Sequence, residues 1–489
     1  MITRRRDVLA AILTLILFGI AVAAHGQTPV RAGEELGYQV ATPSFYPHGG
    51  PQRPATWSHT IVSNGATFLR VHFQRLNLPP GDYVTVANPD RSEVWTYTGR
   101  GPEGAGSFWS FAVQGETAIV ELHSGPGGRD RRHGLSIDRI AHGLLPLYGE
   151  GPQPWEKIVC GTDDRENVSC HPTFVNPVAR LLFQSGGSSF YCTGWLINGS
   201  NANTMITNNH CVANQTEVST VQALFNYRTI ACSGGTQAST STYAGGTFLT
   251  TSSGLDYTLF TLQGNPEALW GEYTATNKTP SVGMVMILPQ HPGGGLKRTG
   301  YWNNSAHTQR CTVATVNATY SPATAFTQMG YSCDTEGGSS GSPVLEAATG
   351  RAIGLHHFGG VSSSPCLNSA TQMTNICSDA GSLLNCSSSS SCVPDGGVDD
   401  TLSETNCCSG YAVNGSTVCL NPADYNNGWR SCSHICGTAP VNGCIPSGGI
   451  DDTLYSTDCC SGAAVPGSTW CLDPADYGTD WISCVQICQ

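Results

Sequence analysis

The sequence predicts an all-β chain of several domains: a β-sandwich near the N-terminus, a larger β-barrel domain, and two small disulfide-rich repeats at the C-terminus. Three observations predict it. Charged residues are only 12% of the 489 residues, while glycine alone supplies 58, a composition of loop-rich β domains rather than helical bundles. Short apolar runs alternate with polar residues between Gly, Pro and Asp turns, with no long amphipathic helical pattern among them. The cysteines of the last hundred residues recur in two copies. The length itself exceeds one ordinary core. A net charge of -12 argues against nucleic acid as a partner.

Residues 1–26 read as a secretory signal. Arg4, Arg5 and Arg6 form a basic start, Val8 to Ala21 is apolar, and small residues follow to Gly26. The stretch RRRDVL also resembles a twin-arginine signal. The competing reading is an uncleaved anchor, but the apolar run is shorter than the ~20 residues a span needs. Export, directly or through a periplasm, puts the chain in an oxidising compartment. The 22 cysteines, an even number, are therefore expected to pair. Metal binding is the rival use of cysteine; no CxxC spacing occurs, so neither metal nor cofactor is expected.

Residues 27–157 lack cysteine and carry FLRVHF, DYVTVANP, EVWTYTG and AIVELH, separated by turns such as PPGDY and NPDRS. That is the pattern of an antiparallel sandwich. GEGPQPWEK reads as an exposed linker behind it. Residues 158–385 hold further short strand-like runs, of a size suited to a barrel domain. A Ser-rich linker, 386–391, closes it.

The tail is a duplication. Residues 392–436 and 444–488 repeat, with Cys392 recurring as Cys444 and Cys436 as Cys488, a shift of 52. Each copy holds six cysteines, enough for the three disulfides that a domain of about 45 residues needs. Six cysteines allow fifteen pairings, so the connectivity stays open. Two units are too few for a solenoid. One reading is a protease-resistant stalk. The other is a binding module for a cell surface, glycan or insoluble substrate, with Tyr425, Trp429, Trp470, Tyr477 and Trp481 as stacking platforms or as the core.

The chemistry concentrates in CDTEGGSSGSPV, residues 333–344. A nucleophilic serine needs a tight turn that exposes its hydroxyl, and backbone N–H groups aimed at the developing oxyanion. GGSSGSPV supplies both, with Ser340 as nucleophile and the N–H groups of Gly338 and Ser340 as oxyanion hole. A Gly/Ser loop without chemistry is the bland alternative. TMITNNHCV ends a strand-like run at His210, and GLDYTLFTL places Asp256 at the head of another. A lone histidine is usually a core residue and a lone aspartate a turn cap. The three in the order His210, Asp256, Ser340 are hard to obtain by accident.

On CTGWLIN, TNNHC, DYTLFTL and GGSSGSPV the chain resembles the chymotrypsin-like serine peptidases. It is closer to the bacterial lysyl endopeptidases of that clan, through Cys160 and Cys170, FNY before Cys232, HPGGGLKR at 291–298, and TEGGSSGSP. The resemblance implies two six-stranded β-barrels with the triad between them, protein or peptide substrates, and bridges Cys160–Cys366, Cys170–Cys232 and Cys192–Cys211. Cys311–Cys333 and Cys377–Cys386 follow by remainder. It reaches 60–124 more weakly, as a prodomain, and does not cover the tail. It implies that Asp334, six residues before Ser340, and Glu336 line the S1 pocket and favour Lys or Arg at P1. GLHHFGGV resembles the pocket strand of glutamyl endopeptidases, where His356 and Thr335 would bind an acidic P1, so that specificity stays open. One departure matters. Activated relatives carry an acid just before the serine, to pair with the terminus freed by cleavage; here Ser339 stands there, and Ile158 in EKIVCG would lack its partner. Two readings of a different class remain: a secreted binding protein on an inactive protease fold, and a surface adhesin.

Overall fold

A computed structural model describes residues 29–386 apart from 44–45, 47–54, 126–130, 150–156, 160, 171–173, 319–326 and 362–363, with Cys459 and short strand segments between 398 and 487. The signal segment, most of the Ser-rich linker and most of the tail lie outside the described residues.

The N-terminal unit is a sandwich. One layer contains Val30–Ala41, Gly134–Gly143, Phe68–Asn77 and Phe108–Trp109, and the other contains Trp57–Val62, Thr117–His123, Tyr83–Ala87 and Val94–Thr98. Alternation in TAIVELH buries Ala118, Val120 and Leu122 against Leu69, Val71 and Phe73 of the facing layer, as a half-buried strand requires.

The first barrel is closed. Val178–Ser185, Ser188–Leu196, Thr204–Thr207, Gln222–Phe225, Ser241–Ser252 and Tyr257–Leu262 pair in a ring, completed by the pairing of the first two. Leu181 and Phe183 point into its core while Leu182, between them, packs on Val30, Phe68 and Leu145 of the N-terminal unit. The near-continuous apolar run VARLLFQS is explained by burial on both faces. In the second barrel, Met286–Gln290, Pro343–Glu346, Ala352–Val361, Ser364–Gln372, Gln328–Tyr331 and Val313–Ala318 follow one another. The Val285–Thr312 bridge brings the two ends together. A shared core between the barrels joins Trp195, Ile206 and Leu259 of the first to Leu345 and Leu355 of the second, and to Met373 and Ile376 of the helix Met373–Ala380.

One connection goes beyond a sandwich on a linker. Val30–Ala41 pairs on one side with Gly134–Gly143 and on the other with Ser188–Leu196, fusing the sandwich sheet to the barrel sheet. Thr204–Thr207 pairs with Ser188–Leu196 only at Trp195 and Leu196, and Val30–Ala41 takes the part of that edge from Ser188 to Tyr191. Two buried polar contacts reinforce the junction. Arg70 donates to the Thr220 carbonyl at 2.8 Å, and the Ala112 N–H donates to Gln222 Oε1 at 2.8 Å.

The bridges Cys170–Cys232, Cys192–Cys211, Cys311–Cys333 and Cys377–Cys386 are formed. Cys366 is disulfide-bonded; its expected partner, Cys160, lies outside the described residues. In the tail, Val398–Asp399, Cys432–Ile435 and Val418–Cys419 form a three-stranded sheet, and Ile450–Asp451, Cys484–Ile487 and Trp470–Cys471 form another with the same order. The internal repeat of sequence is thus a repeat of backbone pairing.

Candidate active site

His210 and Asp256 meet because two strands pair antiparallel. Thr207 stands opposite Thr258, so the turn leaving the first strand and the residue entering the second lie at one end of the ladder. The turn is closed by the Cys211 N–H donating to the Asn208 carbonyl at 3.2 Å, and Asn208 Nδ2 donates to the Asp256 carbonyl at 2.8 Å. Asp256 itself has a φ of 51°, a left-handed conformation that asparagine and aspartate tolerate best among side-chain-bearing residues. Its carboxylate takes two bonds from His210, from the backbone N–H at 3.0 Å and from Nδ1–H at 2.7 Å. Cys192–Cys211, with Cα atoms 6.4 Å apart, ties the turn to the neighbouring strand.

Ser340 comes from the second barrel, in the turn ahead of Pro343–Glu346. It crosses to the first through its carbonyl, which accepts from the Thr193 N–H at 2.9 Å. Gly341 has φ 89°, and a Cβ there would sit 2.0 Å from the Thr193 carbonyl oxygen, so only glycine fits. Ser340 is fully buried, and its hydroxyl donates to the His357 carbonyl at 3.4 Å. His210 Nε2 is buried and has no hydrogen-bond partner among the described residues. The His210 ring stacks on Phe358, centroids 5.3 Å apart.

Electrostatics at Asp256 are a contest. Burial pushes the carboxyl up, but the charge and hydrogen bond of His210, with those of His357, outweigh it and hold Asp256 well below the usual carboxylate range. His357 is fully buried, and burial lowers its ring below the ordinary value despite Asp256.

The four residues expected at S1 lie along the buried segment 334–336 and the strand Ala352–Val361, with other tasks visible for each. Asp334 Oδ2 accepts from the Asp164 N–H at 2.9 Å. Thr335 Oγ1 donates to Asn368 Oδ1 at 2.7 Å. His356 Nδ1 lies 2.5 Å from the Tyr331 hydroxyl and 3.1 Å from the Ser369 carbonyl oxygen. Burial and then His357 push His356 down to about 3, leaving it neutral. Glu336 is buried in an ion pair with Arg165 at 2.7 Å, a partner 171 residues away in sequence. That pairing compensates the buried charge through Oε2, while Oε1 is buried with no hydrogen-bond partner among the described residues; with its charge matched by Arg165, Glu336 is the weaker candidate to receive a cationic side chain.

Several neighbours carry weight that sequence reading did not give them. His357, rather than His356, reaches Asp256, because a bulge between His356 and Phe358 shifts the register there and breaks the simple in/out alternation. Gln290, Thr193 and Gly293 all contact the 336–340 turn; HPGGGLKR marked the region but not its role. Cys192, His210 and Cys211 lie close together. The two sulfurs are bonded to one another, so the trio offers no thiolate to a metal.

Two barrels with a His–Asp pair on one and a buried glycine-flanked serine on the other define the class of the chymotrypsin-like serine peptidases. Residues 158–378 match the family model described as lysyl endopeptidase, C-terminal domain, and this domain is thereby related to the trypsin-like serine peptidases. Secreted RxLR effector protein 73 of Plasmopara viticola is 29% identical over 344 residues, 66% of this chain and 81% of that protein. A lysyl endopeptidase of Pseudomonas aeruginosa is 27% identical over 352 residues, 66% of this chain and 72% of its own. An extracellular metalloprotease of Bacillus subtilis is 28% identical over 233 residues, 44% and 66% of the two chains. A solved structure of a Glu endopeptidase is similar over 45% of this chain and 96% of its own at 21% identity, with a TM-score of 0.32; so low a score adds nothing to the strand pairings above. Two of these relatives are secreted or extracellular by name, and the localisation of this chain is extracellular.

Proposed function

We propose that residues 158–385 form a serine endopeptidase acting on protein or peptide substrates through Ser340, His210 and Asp256. The observation that carries it is the 2.7 Å bond between His210 Nδ1 and Asp256, which fixes the tautomer with Nε2 as the ring's basic atom. Ser340 Oγ attacks the scissile carbonyl carbon as its proton passes to Nε2. The N–H groups of Gly338 and Ser340 stabilise the oxyanion. His210 then gives the proton to the leaving amine as the C–N bond breaks. Water, deprotonated by His210, hydrolyses the acyl-enzyme. In the free enzyme the serine hydroxyl turns toward the His357 carbonyl; productive attack needs it to rotate toward Nε2, as catalytic bonds often tighten only with substrate.

For P1 we propose Lys or Arg. Similarity to lysyl endopeptidases supports this, as does the buried carboxylate of Asp334 six residues before Ser340, where a charge-assisted bond in a desolvated site would favour a cation. Glu336 is left to Arg165. We further propose that residues 27–157 are a folding propeptide cleaved after Lys157. The tail repeats are proposed as a stalk or a module that holds the enzyme on a surface.

A non-catalytic effector is the second reading. It draws on the secreted effector relative and on the serine hydroxyl being turned away from His210. A serine-directed fluorophosphonate separates the two. An enzyme labels at Ser340 and the Ser340→Ala variant does not; absence of label on the native chain would leave the effector reading.

A further inference from the structure

The 336–340 turn has its carbonyls accounted for one by one. Glu336 O accepts from the Ser339 N–H at 2.9 Å, and Gly337 O from the Gly293 N–H at 2.7 Å. Gly338 O accepts from Thr193 Oγ1 at 2.9 Å. Ser339 O accepts from the Ser342 N–H at 3.0 Å and hydroxyl at 2.6 Å. Ser340 O accepts from the Thr193 N–H at 2.9 Å. A trans peptide points its N–H opposite its C=O. Holding Gly337 O on Gly293 therefore turns the Gly338 N–H the other way, and holding Ser339 O on Ser342 does the same for the Ser340 N–H. No hydrogen bond engages either N–H among the described residues. Both donors of the proposed oxyanion hole stand oriented and unspent.

This arrangement exists while the chain is continuous at 157–158, whose backbone pairs with Glu336 and Thr335. The ion pair that a freed terminus makes in activated relatives is absent by sequence, since Ser339 replaces the acid. In its place the Ser339 hydroxyl donates to Gln290 Oε1 at 2.5 Å, and Gln290 Nε2 donates to the Asp334 carbonyl at 2.9 Å. Both Gln290 and Ser339 are fully buried. Gln290 ends the strand Met286–Gln290, and the next residues form the turn that presents the Gly293 N–H. Gly338 packs on that turn so closely that a Cβ would meet Gly294 N and His291 O, each at 2.9 Å.

We propose that Gln290, with the 291–294 turn it anchors, is the positioning device of the oxyanion hole, doing internally and without charge what a terminal ion pair does elsewhere. Gln290 is a positioning residue: it touches neither substrate nor the reacting atoms, and acts through Ser339 and Gly337. The inference rests on the proposed peptidase reading. It predicts that the hole does not depend on a freed terminus at Ile158.

The test compares native enzyme, Gln290→Leu and the double variant Gln290→Leu/Ser339→Ala, each as the full secreted chain. Substrate is a Lys-P1 peptide amide, and the transition-state probe is the matching peptide aldehyde. Both variants should lose kcat by roughly 10- to 100-fold with KM nearly unchanged, and aldehyde affinity should fall in step, because only stabilisation of the oxyanion is lost. The double variant guards against misreading a folding defect, since removing both partners leaves no orphaned buried hydroxyl. Recovery of kcat in the double variant would overturn the proposal, showing that the single variant suffered from that orphan. Native kcat in both variants would overturn it too. Fluorophosphonate labelling of native Ser340 is read alongside: its failure defeats the peptidase reading, whereas labelling with unchanged kcat in the variants defeats only the clamp.

Discussion

His357 Nδ1 lies 3.3 Å from Asp256 Oδ2, the same oxygen that receives Nδ1–H of His210 at 2.7 Å. One carboxylate thus holds two imidazoles, one from each barrel. His357 lies on the strand whose carbonyl, at the same residue, accepts the Ser340 hydroxyl. His357→Ala is predicted to lower kcat by roughly 10-fold while leaving KM near native, since a hydrogen bond of about 1.5 kcal/mol to the Asp256 carboxylate is lost. Its pH–rate profile should move as well, because Asp256 then answers to His210 alone. An unchanged profile with reduced stability would assign His357 a purely structural part.

Acid should destabilise the fold. His356, His357 and His291 are buried, and burial holds each below the ordinary value of 6.5, His356 at about 3. Below pH 6.5 the unfolded chain binds protons that these folded rings refuse, so stability falls as pH drops from there toward about 3. Asp256 acts in the same direction. Its pKa is depressed by His210 and His357 against the effect of burial, so its contribution is full above the ordinary carboxylate range and fades below it. Melting of the Ser340→Ala chain, which avoids self-digestion, should show a lower Tm at pH 4.5 than at 7.5. A flat or rising Tm on acidification contradicts this.

The carboxylates of Asp334 and Glu336 should behave differently. Asp334→Asn is predicted to reduce kcat/KM for a Lys-P1 peptide by roughly 10- to 100-fold, through loss of one charge-assisted bond, with little change in Tm. Glu336→Gln should instead cost stability, about 1.5–3 kcal/mol, because the buried Arg165 keeps Asp163 but loses its charge-assisted bond to Glu336. Pairing it with Arg165→Met should recover part of that loss. Matched peptides differing only at P1 provide the assay. Faster cleavage of the Glu peptide than of both Lys and Arg peptides would overturn the cationic pocket.

The shared strand makes a prediction about folding. Without Val30–Ala41 the edge from Ser188 to Tyr191 has no cover, and Leu182 and Tyr191 lose the apolar partners Val30, Phe68 and Leu145. Residues 158–489 produced alone should give little soluble active protein, as an exposed strand edge invites misassociation. Adding residues 27–157 as a separate chain should restore yield. Equal yield of active protein without them would show that the sandwich is dispensable.

Much of this was legible in the sequence, and the pattern of what was not is physical. Alternation in AIVELH and the turns around it announce the sandwich, and His210, Asp256 and Ser340 stand out because each sits in a short stretch with its own backbone demands. The bulge that sends His357 rather than His356 to Asp256 has no local signal. Arg165–Glu336 joins residues far apart in the chain, where no spacing rule applies. VRAGEELGYQVA looks like a weak, glycine-broken strand; only the assembled sheet reveals that it serves two domains. Gln290 was invisible for the opposite reason: a single uncharged side chain at a strand end looks like any other until its partner, Ser339, is seen beside it.

The central claim is that Ser340 is the nucleophile, and the most direct measurement is kcat/KM of Ser340→Ala on a Lys-P1 peptide beside the native enzyme. Ser340 lies in a tight buried turn where alanine removes only a hydroxyl, so the variant should fold with a Tm close to native. Its activity should fall by roughly 10⁴- to 10⁶-fold, the scale for loss of a triad member. Activity within a few-fold of native in a correctly folded Ser340→Ala chain would contradict the account.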